Sequence, residues 1–131
     1  MSIRIGHVHL EVADAERSAA FYGELLGFET RESVGGFRFL SGGPAHHELA
    51  LQTSASPGLY HSAFEVDSEQ ELAAVAARLR DAGVRYSAVD HGISHALYFR
   101  DPDGLGVEVY LDRRGAAGCR AWDGRSRALD L

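Results

Sequence analysis

The chain reads as one unit written twice, and this repetition limits its fold more than any other feature. His7 lies seven positions before Asp14, and His61 lies seven before Ser68. Glu11-Val12 and Glu65-Val66 fall at matching places, and Glu48-Leu49-Ala50-Leu51-Gln52 matches Glu108-Val109-Tyr110-Leu111-Asp112. Self-similarity of this kind marks repeated supersecondary units. In the first copy a strand over about 3–13 leads to Asp14, a good N-cap residue. The helix that follows runs through Glu16, Ala19, Ala20, Tyr22, Leu25 and Leu26 and stops at Gly27. In the second copy a strand over about 59–67 meets Ser68, which forms a capping-box pattern with Glu71. Leu72, Val75, Ala76 and Leu79 then recur at helical spacing up to Gly83. About three short strands with Gly-rich turns follow each helix, so each unit is β-α-β-β-β and the expected class is α+β. The expected organisation is a single domain over 1–131. Its first module covers about 1–53 and its second about 58–112, with a linker at Ser54–Gly58 and a tail over 113–131.

Two residues at equivalent positions of two related units can converge on one site. His7 and His61 are such a pair, and Glu108 opens the last strand after the turn Asp101-Pro102-Asp103-Gly104, where Asp-Gly favours a positive φ. Two imidazoles and one carboxylate hold a divalent ion on one side and leave its other positions open.

Composition narrows the partners. A chain of 131 residues with 45% hydrophobic content can bury a substantial core. Its formal charge is −6, it contains no lysine, and its arginines form no basic run, so nucleic acid and anionic membranes are poor partners. Cys119 is the single cysteine, which rules out an intrachain disulfide and fits a reducing cytoplasm. No stretch has signal-peptide character or membrane-spanning length.

The duplicated β-α-β-β-β unit, the histidine-to-cap spacing, Phe21-Tyr22 with Leu26-Gly27-Phe28, and Asp101-Pro102-Asp103-Gly104-x3-Glu108 together resemble the vicinal oxygen chelate superfamily. That group includes glyoxalase I, fosfomycin-resistance enzymes, bleomycin-binding proteins and extradiol ring-cleavage dioxygenases. The resemblance runs to about residue 114. It implies a half-barrel metal-binding cleft made by two βαβββ modules, with His7, His61 and Glu108 as metal ligands, and a homodimer.

Within the superfamily, three features resemble the extradiol branch. His46-His47-Glu48-Leu49-Ala50-Leu51 is similar to the strand that carries the acid/base histidine. Tyr98 precedes Glu108 by ten residues, as the active-site tyrosine does, and Asp90-His91-Gly92-Ile93-Ser94-His95-Ala96-Leu97-Tyr98 is similar to small catechol 2,3-dioxygenase-like proteins. The resemblance implies His47, Tyr98 and His91 as catalytic residues, no organic cofactor, and Fe²⁺ or Mn²⁺ as the metal. The implied substrates are a catecholic small molecule and O₂. Well-studied extradiol enzymes usually carry a second, non-catalytic domain, which is not expected within these 131 residues.

One alternation stays open. Side chains alternate along a strand, so His47 and Glu48 cannot both enter one pocket. The internal repeat equates Glu48 with Glu108, and glyoxalase I places a metal carboxylate at the Glu48 position. That choice would favour isomerase or thiol-transferase chemistry with Ni²⁺ or Zn²⁺. Fosfomycin-type enzymes need basic residues for a phosphonate, for which only Arg100, Arg113 and Arg114 are to hand. A drug-binding protein is a third reading, which the triad disfavours. His9 shares the strand face of His7, and His91 and His95 sit where a substrate loop is expected. The charges of 69–80 are expected on a solvated helix face. Cys119 is expected to be inert, and Trp122 is the expected anchor of an otherwise aperiodic tail.

Overall fold

Two capped helices and strict strand alternation set the architecture. The computed structural model describes residues 2–118 and 120–131, so Cys119 lies outside the described residues. The elements are β1 (Ile3–Val12), α1 (Ala15–Leu26), β2 (Glu29–Val34), β3 (Phe37–Ser41), β4 (Leu49–Thr53), β5 (Gly58–Val66), α2 (Glu69–Asp81), β6 (Ser87–Asp90), β7 (Ser94–Arg100), β8 (Gly106–Asp112), α3 (Arg114–Ala117) and β9 (Arg127–Ala128). The order β-α-β-β-β occurs twice, the class is α+β, and the strand order in the sheet is β2-β3-β4-β1-β5-β8-β7-β6-β9. Two compact units partition the chain: Gly6–Ser62, and the residues up to Ile5 with Ala63–Leu131.

Both helix starts are where the cap residues place them. The Asp14 carboxylate accepts the Arg17 N–H at 3.1 Å, and α1 ends at Gly27, whose φ of 78° is the left-handed stop that glycine tolerates. The Ser68 hydroxyl accepts the Glu71 N–H at 3.1 Å. The Glu71 carboxylate reaches back to the N–H of Asp67, one residue further than the usual reciprocal box.

In the Gly6–Ser62 unit, β1 and β4 pair in parallel with Val8 opposite Leu49 and His9 opposite Ala50. β3 and β4 pair antiparallel with Phe39 opposite Ala50 and Leu40 opposite Leu49. Period-two alternation therefore sends Leu10, Val12, Leu40, Leu49 and Leu51 to one face, where Ala15, Ala19 and Tyr22 of α1 cover them. His7, His9, Phe37, Phe39, Ala50 and Gln52 fall to the other face. A bulge between Thr30 and Glu32 shifts the β2–β3 register, so that Glu32 rather than Arg31 lies opposite Phe39. One extra residue thereby turns a carboxylate onto the histidine-bearing face.

The other unit repeats the division. Val66, Leu97, Val109 and Leu111 pack under Leu72 and Ala76 of α2. Ala63, Ala96, Tyr98 and Tyr110 gather on the opposite side of their strands. The tail, which had no predicted element, contributes β9. This strand pairs antiparallel with β6 through Val89–Ala128 and Asp90–Arg127, and Leu129 packs against the α2 core. Trp122 donates its indole N–H to the Arg125 carbonyl at 2.9 Å, within the tail's own turn. Among the described residues, no helix is long and apolar enough to cross a membrane.

Leu72 is fully buried at the centre of the α2 core. Leu72→Ala should destabilise the protein by about 2–5 kcal/mol, through lost apolar transfer plus the cavity left behind. Urea unfolding followed by circular dichroism measures this, and a shift below about 1 kcal/mol would contradict so central a role.

Candidate metal centre and its histidine cluster

The histidine face of the Gly6–Ser62 unit is made by three sequence segments. β1 contributes His7 and His9, β5 contributes His61, and the segment before β4 contributes His46 and His47. His7 Nε2 and His61 Nε2 are 3.3 Å apart, and both side chains are buried. That separation suits a hydrogen bond in which one ring donates. It also suits two lone pairs on a single ion, since ligands about 2.1 Å from a metal are roughly 3.0–3.4 Å from one another. Burial, followed by the neighbouring His47 and His61 rings, holds His7 well below the usual histidine range. Its neutral form, the one that ligates a metal, is therefore the form the fold favours.

Around this pair the rings are closely packed. His47 lies 4.2 Å from His7 between ring centroids, and Phe39 lies 5.0 Å from His47. His9 is buried too: its Nε2 is 3.0 Å from the Gln52 amide oxygen, and its ring is 4.7 Å from that of His61. His47 and Glu48 point apart within this unit. The Glu48 carboxylate turns back onto the β3–β4 turn and accepts the Gly42 N–H at 2.8 Å, while His47 stays beside His7. His46 completes the set, with Nδ1 at 2.9 Å from His47 Nδ1 and Nε2 at 2.7 Å from Glu32.

The second unit holds the carboxylate. Glu108 lies opposite Tyr98 in the antiparallel β7–β8 register and is 5% exposed. Burial raises its pKa to about 7, and the Tyr98 hydroxyl works in the opposite direction by hydrogen bonding. Tyr98 is itself held, since its hydroxyl is 2.7 Å from His91 Nε2. His91 sits at a turn in which Gly92, with φ of 79°, donates its N–H to the Asp90 carboxylate at 2.8 Å. The other ring nitrogen of His91 is 2.8 Å from the Ser126 hydroxyl.

One expectation changes. His95, expected near a substrate loop, alternates with Tyr98 on β7, and its Nδ1 is 2.7 Å from Glu69 at the start of α2. It belongs to the helix side of the strand. Ser126, Gln52 and Glu32 were not anticipated. None carries a local motif, and each arrives by pairing or register with elements distant in sequence.

His7 and His61 in the Gly6–Ser62 unit and Glu108 in the other unit are each buried, and each is of a type that can offer a metal ion one ligand atom. The donor chemistry fits such a group. His7 is held in its neutral form, and a carboxylate destabilised by burial is one that a cation would restore to its charged form.

Most of the chain is similar to known proteins. Residues 4–109 match the family described as Glyoxalase/Bleomycin resistance protein/Dioxygenase superfamily. The chain belongs to that superfamily. It is 34% identical to the catechol-2,3-dioxygenase of Bacillus subtilis (strain 168) over 118 residues, which cover 83% of this chain and 41% of the relative. It is 28% identical to the glutathione transferase FosA of Serratia marcescens, covering 88% of this chain and 87% of that protein. Among solved structures, the Mn(II)-bound glyoxalase from Novosphingobium aromaticivorans superposes with a TM-score of 0.78 at 27% identity, covering 82% of this chain and 37% of that one. The chain therefore spans about two fifths of the dioxygenase and of the glyoxalase, and most of FosA.

Burial of Glu108 has a consequence for metal-free protein. The folded state keeps a proton on this group up to about pH 7, whereas the unfolded chain releases it near 4.5. The folding advantage from that proton is full below 4.5 and declines as pH rises through about 7. Metal-free protein should lose stability over that window, and Glu108→Gln should flatten the slope in chelator-treated urea titrations. An unchanged slope would mean that Glu108 is not the group responsible.

Proposed function

We propose that this chain is a metal-dependent extradiol-type ring-cleavage dioxygenase acting on a catecholic small molecule. His7, His61 and Glu108 are the metal ligands in this reading. The observation that carries it is the placement of His47 beside His7, with Glu48 turned away to the Gly42 backbone. That arrangement supplies an imidazole where the extradiol reading needs an acid/base, and it removes the carboxylate that a glyoxalase-type ligand set would use.

A divalent metal such as Fe²⁺, when bound, would acidify a catechol hydroxyl and bring O₂ beside the ring. The remaining work falls to residues of the chain. His47 accepts the proton that the catechol loses and returns it later, a task suited to imidazole near neutral pH. The Tyr98 hydroxyl accepts from His91 Nε2–H and so keeps its one proton to donate, to Glu108 before substrate binds and to a substrate oxygen afterwards. Phe37 and Phe39, stacked with a 3° interplanar angle, offer an apolar surface for a flat ring near the histidines.

A thiol-transferase reading draws on the similarity to FosA, which covers most of that protein. Phosphonate recognition needs available cations, and the three candidate arginines are engaged within their own unit. Arg114 pairs with Asp112 at 2.6 Å, Arg113 with Glu69 at 3.2 Å, and Arg100 binds the Gly104 carbonyl at 2.9 Å. This favours the dioxygenase.

Protein loaded anaerobically with Fe²⁺ should consume O₂ stoichiometrically with one or more of a panel of catechols, and a yellow ring-opened product should accumulate. With metal content verified, absence of uptake across the panel would overturn the reading in favour of isomerase or thiol-transfer chemistry. His61→Ala should abolish stoichiometric metal binding while the circular dichroism spectrum is preserved. His47→Ala should keep its metal but lose roughly 10²–10⁴-fold in kcat, the usual contribution of a positioned acid/base. Undiminished turnover in that variant would remove His47 from the mechanism.

A further inference from the structure

We infer that Glu32 and His46 are positioning residues that fix the tautomer of His47, so that its Nε2 carries a lone pair and its Nδ1 the proton. The inference rests on the reading of His47 as the acid/base of a ring-cleaving enzyme, and it goes beyond that reading by assigning two residues which no part of the family resemblance assigns.

The hydrogen-bond chain dictates the direction. An ionised carboxylate can only accept, so the ring nitrogen facing Glu32 at 2.7 Å, His46 Nε2, must donate. A neutral imidazole with its proton on Nε2 presents a lone pair at Nδ1. His46 Nδ1 lies 2.9 Å from His47 Nδ1, and two lone pairs cannot face each other at that distance, so His47 Nδ1 supplies the proton. His47 Nε2 is then left as the basic nitrogen. When it takes a proton from a substrate hydroxyl, the resulting imidazolium still donates from Nδ1 to His46, and the Glu32 carboxylate supports the added charge through the chain. The logic is that of a base held by a third group. Reversal of Glu32's role would reverse everything downstream, because a His46 protonated on Nδ1 would force His47 to accept there and to carry its own proton on Nε2. In that form Nε2 could not act as a base.

The geometry that brings the carboxylate here is built into the strands. The bulge between Thr30 and Glu32 places Glu32 opposite Phe39, and the Phe39 ring lies 5.7 Å from His46 and 5.0 Å from His47. Glu32 and His46 side chains are 12% and 11% exposed, which shelters the pair from competing water. Bulges are a recognised means of re-aiming a side chain next to a site.

The test is a two-bond proton–nitrogen correlation spectrum of the ¹⁵N-histidine-labelled, metal-free full chain at pH 8, with His47 assigned by comparison with a His47→Gln sample. The expected wild-type result is His46 protonated on Nε2 and His47 protonated on Nδ1. Glu32→Leu should abolish the His47 preference, and so should His46→Phe, which keeps an aromatic ring in place but removes the acceptor. A wild-type His47 protonated on Nε2, or a doubly protonated His46, would overturn the inference whether or not either variant folds. So would a His47 tautomer unchanged in a folded variant. In the catechol assay, Glu32→Leu should lower kcat by about tenfold or more, with KM changed less than about twofold, as expected when a base is in the wrong tautomer. Wild-type protein that shows the expected tautomers but no ring cleavage would sink the dioxygenase reading alone. Variants with the wild-type tautomer would sink this inference alone.

Discussion

The structure depends on the two-residue period of its strands. Each strand near the centre of a unit sends aliphatic side chains to the helix and polar or aromatic ones to the opposite face. Leu49 and Leu51 lie under α1 while Ala50 and Gln52 face the histidines, and Val109 and Leu111 lie under α2 while Glu108 and Tyr110 do not. This separation lets one sheet meet two opposed demands. The apolar face provides the burial that holds the fold together, and the other face can carry ionisable groups without placing them in that core. A one-residue slip in any of these strands would exchange the two faces, so register is under strong constraint.

Polar residues on such a face are costly unless they find partners, and the structure shows them finding one another. His9 meets Gln52, His46 meets Glu32, and His91 bridges Tyr98 and Ser126. Glu108 is the expensive member. Its burial works against its own charge, which is sensible for a metal ligand and hard to justify as a stabilising device. The cluster thus has the character of a site maintained at some cost to the fold.

Much of this was legible in the sequence. The repeat located both helices and both N-caps and singled out His7, His61 and Glu108, because each rests on a local signal: alternation, a capping residue, or a turn such as Asp103-Gly104. What could not be read there depends on register and pairing. The bulge at Thr30–Glu32 has no signature of its own, yet it decides that Glu32 faces His46. The contrast between His47 and Glu48 was an alternation with two solutions, and only the turn that captures Glu48 through the Gly42 N–H chooses one. His95 was open between a substrate contact and a polar loop, and the change of face along β7, which sends it to Glu69, decides against the contact. The tail appeared structureless since a two-residue strand such as β9 has no period to detect.

That short strand has a further meaning. β9 anchors the tail beside β6, and the residue just before it, Ser126, holds the ring that in turn holds Tyr98. Ser126 and Trp122 lie in neither aliphatic cluster, and both are exposed or only partly covered. Substitution there changes the setting of the Tyr98 hydroxyl while sparing the packing that keeps the protein folded. The tail is therefore a place where the surroundings of that hydroxyl can drift, or be engineered, at little expense in robustness.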